Sequence, residues 1–206
     1  MSNCKFCNII NNSKKEDRLE NTILFENSNF LVMPALGSIT EGYLMIITKK
    51  HINSMAELSK EEMIDLLSLL EKLKKTLYNH YGITPIIFEH GSGKKNVENA
   101  SSSIIHAHIH IVPINFCKQS HLDIITESKM SKIDMKSELY NFGNTPYILY
   151  IDQNNDSYIS KSTDVILPSQ YMRKKIAIEK GVADLWNWRE HNLHNNIINT
   201  IRKIRL

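Results

Sequence analysis

Nine residues in the middle of the chain, Ile104 to Val112, suit an extended backbone: His106, His108 and His110 then share one face of a strand, and Ile105, Ala107, Ile109 and Ile111 share the other. Isoleucine and valine at both ends of the run mark a central strand covered on both faces, and Pro113 ends it. The fold must therefore hold a sheet with a row of imidazoles under cover. Buried imidazoles need partners or a task.

Alternate residues on a strand lie ~6.6 Å apart, so two neighbouring imidazoles can converge on one metal ion. His106 and His110, ~13 Å apart at their Cα atoms, cannot both join a single ion unless the strand distorts. A division of labour fits the row better than a three-histidine zinc site. Neutral imidazole is a good nucleophile near pH 7, with an ordinary pKa of ~6.5, and its neighbours can donate protons, which suits phosphate chemistry. For His108 to attack phosphorus through one ring nitrogen, the other must hold its N–H against a carbonyl or carboxylate.

The rest of the chain supplies the frame. Apolar runs at Thr22 to Phe25 and Phe30 to Met33, separated by Glu26-Asn27-Ser28-Asn29, predict a hairpin, and Tyr43 to Ile47 predicts a buried strand ending near His51. A helix starts at Ser59, with Glu62 completing a capping box, carries Met63, Leu66, Leu67, Leu70, Leu73 and Leu77 on one stripe, and stops at Gly82. Pro85 to Glu89 reads as a second central strand, followed by a polar loop from His90 to Ser103. Beyond Cys117 come a helix-prone stretch, a hairpin of Tyr147 to Ile151 with Tyr158 to Ser160, and a helix from Ser169 to about Lys180. A soft boundary near Phe116 divides residues 1–116 from a carboxy-terminal extension, 117–206.

Composition excludes several classes. A formal charge of +3 over 206 residues is too small to announce a nucleic-acid binder, and no apolar run approaches the ~20 residues that span a bilayer. The first residues lack a signal-peptide core, so the cytoplasm is the expected location. There, Cys4-x-x-Cys7 with a distant Cys117 reads as a metal half-site rather than a disulfide framework.

His106-Ala107-His108-Ile109-His110-Ile111-Val112, followed by Pro113, resembles the histidine-triad (HIT) motif, His-φ-His-φ-His-φ-φ. Leu44 to His51 and Phe88-Glu89-His90-Gly91 resemble two further stretches of that family, in matching order over about residues 4 to 115. The resemblance implies an α+β, HIT-like fold: an antiparallel sheet with the triad on its central strand, one long helix and a smaller α/β extension, commonly assembled as a homodimer. It implies hydrolysis or nucleotidyl transfer at the α-phosphorus of a nucleotide conjugate, of the dinucleoside polyphosphate or nucleoside phosphoramidate class. His108 would form the covalent nucleotidyl-histidine, and His110 would contact the phosphate or leaving group. Members with an amino-terminal Cys-x-x-Cys bind a structural zinc, which implies Cys4, Cys7, His51 and His106 as ligands. Two thiolates and two imidazoles form a closed tetrahedral set that suits zinc and leaves no open position.

Candidate nucleotide and phosphate contacts are Glu89, at the strand end before the phosphate loop, and Lys94, Ser101, Ser102 and Ser103 within that loop. Ala35 or Leu36 falls where many members carry an acidic ribose-binding residue, and Ser101-Ser102 stands in place of a Gly-Gln pair. Stretches around Ser169 to Lys175 and Leu185 to Arg189 resemble a tail of some longer bacterial members. Arg173 there reads as part of a basic surface face with a substrate phosphate as its alternative partner, and Trp186 and Trp188 read as anchors of the tail. Rival readings are a metallohydrolase with His106 and His108 on a catalytic metal, a nucleotide-binding module with little turnover, and an enzyme acting on adenylated nucleic-acid ends, suggested by Arg202, Lys203 and Arg205.

Overall fold

A computed structural model describes residues 4–11, 19–92 and 105–204. Its strands are β1 (Phe25–Glu26), β2 (Phe30–Pro34), β3 (Leu44–Thr48), β4 (Ile86–Gly91), β5 (His108–Val112), β6 (Ser131–Ile133), β7 (Tyr147–Ile151) and β8 (Ser157–Lys161). Its helices are α1 (Lys5–Asn11), α2 (Lys60–Tyr81), α3 (Lys118–Glu127), α4 (Met135–Glu138), α5 (Tyr171–Glu179) and α6 (His194–Lys203). The strands form one antiparallel sheet in the order β1-β2-β3-β5-β4-β7-β8-β6, so the fold is α+β as expected.

Local chemistry explains the boundaries. The first hairpin turns where the Asn27 side chain accepts from the backbone N–H groups of Asn29 (2.9 Å) and Phe30 (2.7 Å). Helix α2 opens with the full capping box, Glu62 N–H to the Ser59 hydroxyl and Ser59 N–H to the Glu62 carboxylate, and closes on left-handed Gly82. Its buried stripe of Met63, Leu66, Leu69, Leu70, Leu73 and Leu77 packs on Leu44, Ile46, Ile87, Ile109 and Ile111. Leu67, expected on that stripe, is only half-buried, and Leu69 takes the fully covered position.

The opposite face of the sheet is covered from both ends of the chain. Phe6 of α1, Ile124 of α3, and Tyr171, Met172, Ile176 and Ala177 of α5 pack against Met33, Met45, Ile47, Phe88, Val112, Ile148 and Tyr150. The sheet also runs straight across the boundary near Phe116. Strand β7 pairs with the outer edge of β4 from Ile87↔Ile151 to Gly91↔Tyr147, and all five of its residues are buried, as befits a strand covered on both faces. Residues 117–206 thus extend the sheet of the first segment and roof one of its faces.

The alternating run is shorter than its pattern. Strand β5 begins at His108; His106 lies in a bend just before it, and Ile105 is exposed. From His108 onward the expected alternation holds, with Ile109 and Ile111 toward α2 and His108 and His110 on the other face, between β3 and β4.

Candidate active site

The bend before β5 gives each triad histidine a different environment. His108 Nδ1 donates to the backbone carbonyl of His106 at 2.7 Å, which fixes the proton on that nitrogen and leaves Nε2 bare. The carbonyl is the partner that the chemistry required and that side-chain patterns do not reveal. His110 stacks on Phe88 (centroids 4.6 Å apart, planes 12° apart), and its Nδ1 meets the Tyr43 hydroxyl at 3.1 Å. Burial pushes the Tyr43 phenol up to about 12, so it stays protonated at neutral pH. Burial also lowers His108, and lowers His110 well below the ordinary imidazole range.

His106 faces the other way. Its Nε2 donates to the Thr48 carbonyl at 2.7 Å, and its bare Nδ1 lies 3.3 Å from Cys4 Sγ and 3.7 Å from Cys7 Sγ. His51 Nδ1 is 3.1 Å from Cys7 Sγ, and one ligand atom from each of Cys4, Cys7, His51 and His106 falls within 4.8 Å of the others. A tetrahedral zinc with bonds of ~2.3 Å to sulfur and ~2.0–2.1 Å to nitrogen separates such atoms by ~3.5 Å. The four side chains fit that ion in chemistry and spacing, and the Thr48 carbonyl supplies the outer hydrogen bond that metal-binding imidazoles need.

A cavity partly open to solvent lies over His108 and His110. Its walls combine the apolar Phe6, Ile9, Met33, Met45 and Phe88 with a polar edge that includes Lys5 and Glu20. A fourth imidazole, His90, joins them. Its Nε2 is buried and has no hydrogen-bond partner among the described residues, and burial pulls its pKa down to about 4, so it is neutral at pH 7.

Residues 16–116, which include the histidine row, match the HIT domain. The chain belongs to the HIT family. Protein hit of Bacillus subtilis (strain 168) is 24% identical over 114 residues, 54% of this chain and 70% of that protein. Bis(5'-adenosyl)-triphosphatase of Dictyostelium discoideum is 26% identical over 94 residues, 46% of this chain and 60% of the relative. Among solved structures, a HIT family member from Bacillus subtilis aligns over 62% of this chain and 95% of its own at 21% identity and a TM-score of 0.43. A zinc-bound histidine triad family protein from Mycobacterium smegmatis aligns over 57% and 78% at 18% identity and a TM-score of 0.43.

The structure gathers His108 and His110 in one pocket and, with two cysteines from ahead of the matched domain, Cys4, Cys7, His51 and His106 in one cluster. Glu89 goes elsewhere. It is 1% exposed on the α2 side of β4, where its carboxylate accepts from Met55 N–H at 2.8 Å and from the Tyr147 hydroxyl at 2.5 Å. The pleat that aims Phe88 and His90 at the cavity turns Glu89 away from it, so the expectation of a phosphate contact through Glu89 is corrected to a role inside the fold. Lys94, Ser101, Ser102 and Ser103 lie outside the described residues.

Segments beyond the matched domain contribute too. Gln170, Arg173 and Trp188 line the HIT-domain cavity, beside Leu36. Arg173, read from sequence as part of a basic surface face, is buried, because α5 lies with that side against the sheet. The His90 alternation with Phe88 was visible in sequence as a strand pattern; the sequence offered Arg173 a substrate phosphate only as the alternative to a surface face, and nothing local marked Gln170.

Proposed function

We propose that the protein is a nucleotide hydrolase or nucleotidyl transferase in which His108 Nε2 attacks the α-phosphorus of a nucleotide conjugate. The observation that carries this reading is the 2.7 Å bond from His108 Nδ1 to the His106 carbonyl, which leaves a bare nitrogen on a cavity wall. In the first step Nε2 forms a bond to phosphorus, and the bond from phosphorus to the leaving oxygen or nitrogen breaks; the leaving group takes up a proton. Tyr43, donating to His110 Nδ1, leaves the hydrogen of His110 on Nε2, available to the phosphate oxygens or the departing atom. In the second step water or another acceptor attacks phosphorus, loses a proton, and frees His108.

The substrate class best supported is a dinucleoside polyphosphate or nucleoside phosphoramidate, since a relative is a bis(5'-adenosyl)-triphosphatase and the cavity walls are mostly apolar, as a nucleoside site requires. A zinc ion on Cys4, Cys7, His51 and His106 would be structural, its four positions filled by protein. Holding His106 also holds the carbonyl that aims His108. The reduced thiols this needs suit the expected cytoplasmic setting. Among the described residues no helix is long and apolar enough to cross a membrane. A homodimer, implied by the family resemblance, would have to use a surface other than the outer edge of β4, which β7 occupies.

A catalytic metal shared by His106 and His108 is disfavoured, because His106 Nδ1 faces the cysteines and His108 Nδ1 faces a carbonyl. The test is turnover of a panel containing diadenosine triphosphate and an adenosine phosphoramidate, with elemental analysis of protein purified without added metal. Hydrolysis together with about one zinc per chain is expected. Tight nucleotide binding with no turnover by the intact chain would make it a binding module instead.

A further inference from the structure

Arg173 is 5% exposed and lines the cavity that holds His108 and His110. Three backbone carbonyls accept from it, Trp186 from Nε at 2.9 Å, Leu36 from Nη1 at 3.3 Å and Gly37 from Nη2 at 2.6 Å, and the guanidinium also interacts with the Tyr43 hydroxyl. Among the described residues no carboxylate pairs with it. A guanidinium carries five N–H donors, and among the described residues these contacts do not use all of them. Burying a charge with no counter-ion is costly, and three carbonyl dipoles offset only part of that cost. An anion entering the cavity would supply the counter-charge that the described residues do not.

Its surroundings connect it to the chemistry. The guanidinium carbon sits 5.7 Å from the centre of the Tyr43 ring, and Tyr43 is the residue that meets His110 Nδ1. The other charged groups of the cavity are Lys5 and Glu20, and Glu20 lies 4.0 Å from His194 Nε2. A planar guanidinium offers directed N–H donors and a delocalised charge to phosphate oxygens, which an ammonium reproduces only as a point charge.

We propose that Arg173, supplied by the segment beyond the HIT domain, recognises a second anionic group of the substrate, so that the pocket prefers nucleotides carrying negative charge beyond the reacting phosphate. This deepens the nucleotide reading above and rests on it for the position of the reacting phosphate. It makes the carboxy-terminal segment part of the specificity machinery of the site.

Calorimetric binding of ADP and AMP to the intact protein, to Arg173→Lys and to Arg173→Met tests it. The wild-type chain should bind ADP about tenfold or more tighter than AMP, the scale of a charge-assisted pair. In R173M that ratio should collapse toward one, with AMP affinity changed far less than ADP affinity, and R173K should retain part of it. An equal ratio in wild type and R173M would overturn the proposal, as would equal losses for both ligands in R173M and R173K, the mark of a residue that only ties α5 to the Leu36-Gly37 turn. If R173M fails to fold, a wild-type ratio near one overturns the proposal, and a tenfold ratio partly kept by R173K upholds it. These outcomes do not depend on turnover, so a chain that binds ADP through Arg173 but forms no nucleotidyl-histidine would refute the proposed chemistry and leave this site standing.

Discussion

The two faces of the central sheet are built to different rules from the same strand. Toward α2, β5 presents Ile109 and Ile111 to a layer of leucines, and a buried carboxylate there, Glu89, is held by Met55 N–H and the Tyr147 hydroxyl. Toward the cavity, the same strand presents His108 and His110, and the cover comes from α1, α5 and the Trp188 region. Burial of hydrocarbon needs no particular orientation, so the first face can rely on shape and area alone. Buried imidazoles need each nitrogen assigned, and the second face meets that need with a carbonyl for His108 and a phenol for His110. Stability and chemistry are thus separated by the thickness of one sheet.

The sharpest way to break this comparison is to change one residue on each face. His108→Ala should lower turnover by at least about 10³-fold while leaving the unfolding midpoint close to wild type, because a nucleophile is lost and little apolar area goes with it. Leu73→Ala, fully buried on α2, should cost about 2–5 kcal/mol in urea unfolding and leave kcat per folded molecule unchanged. Equal stability losses for the two variants would contradict the separation.

Gly37 probes how the second face is held shut. Its φ is +61°, and an added Cβ would lie 2.7 Å from Trp188 Cβ and 2.8 Å from the His191 carbonyl. Gly37→Ala should cost about 1–3 kcal/mol from backbone strain alone. It should also weaken nucleotide binding, since Trp188 and Arg173 both meet this turn. Unchanged affinity by calorimetry would separate the turn from the site.

Glu89 gives the first face its own pH signature. Burial raises its carboxyl from 4.5 to about 7, so the folded chain binds this proton more tightly than the unfolded one. Its stabilising contribution is therefore complete below about pH 4.5 and is lost as pH rises through about 7. His90, pulled from 6.5 down to about 4, acts in the opposite sense: its contribution is complete above about 6.5 and is lost as pH falls toward 4. Comparing wild type with Glu89→Gln at each pH cancels the imidazoles, and the variant should lack the decline between pH 4.5 and 7. The smallest effect belongs to the helix cap: Ser59→Ala should cost about 1 kcal/mol by removing the acceptor for Glu62 N–H, read as a shift of the urea midpoint at constant slope.

Much of this plan could be read from residues alone. The capping box at Ser59 and Glu62, the stop at Gly82, both hairpins and the central position of the histidine strand all come from short-range chemistry, and all are present. So is the convergence of Cys4, Cys7, His51 and His106, which the family resemblance implied. What the pattern concealed was long-range. The bend at His106 breaks the alternation because that imidazole is drawn toward the cysteines, 99 and 102 residues away in sequence. The pairing of β7 with β4, which carries the sheet past Phe116, joins strands far apart in sequence, and burial of Arg173 depends on which side of α5 meets the sheet. Glu89 was misplaced by one step of the pleat: its neighbour His90 faces the cavity, and period-two geometry sends Glu89 to the other side.

The central claim is that His108 Nε2 bonds to phosphorus, and the direct measurement is peptide mapping by mass spectrometry of protein quenched during turnover of diadenosine triphosphate. The account predicts one adenylyl group, acid-labile and base-stable, on the peptide containing His108, and none on the His108→Ala protein. Turnover with no covalent adduct, or an adduct on any other residue, would contradict it.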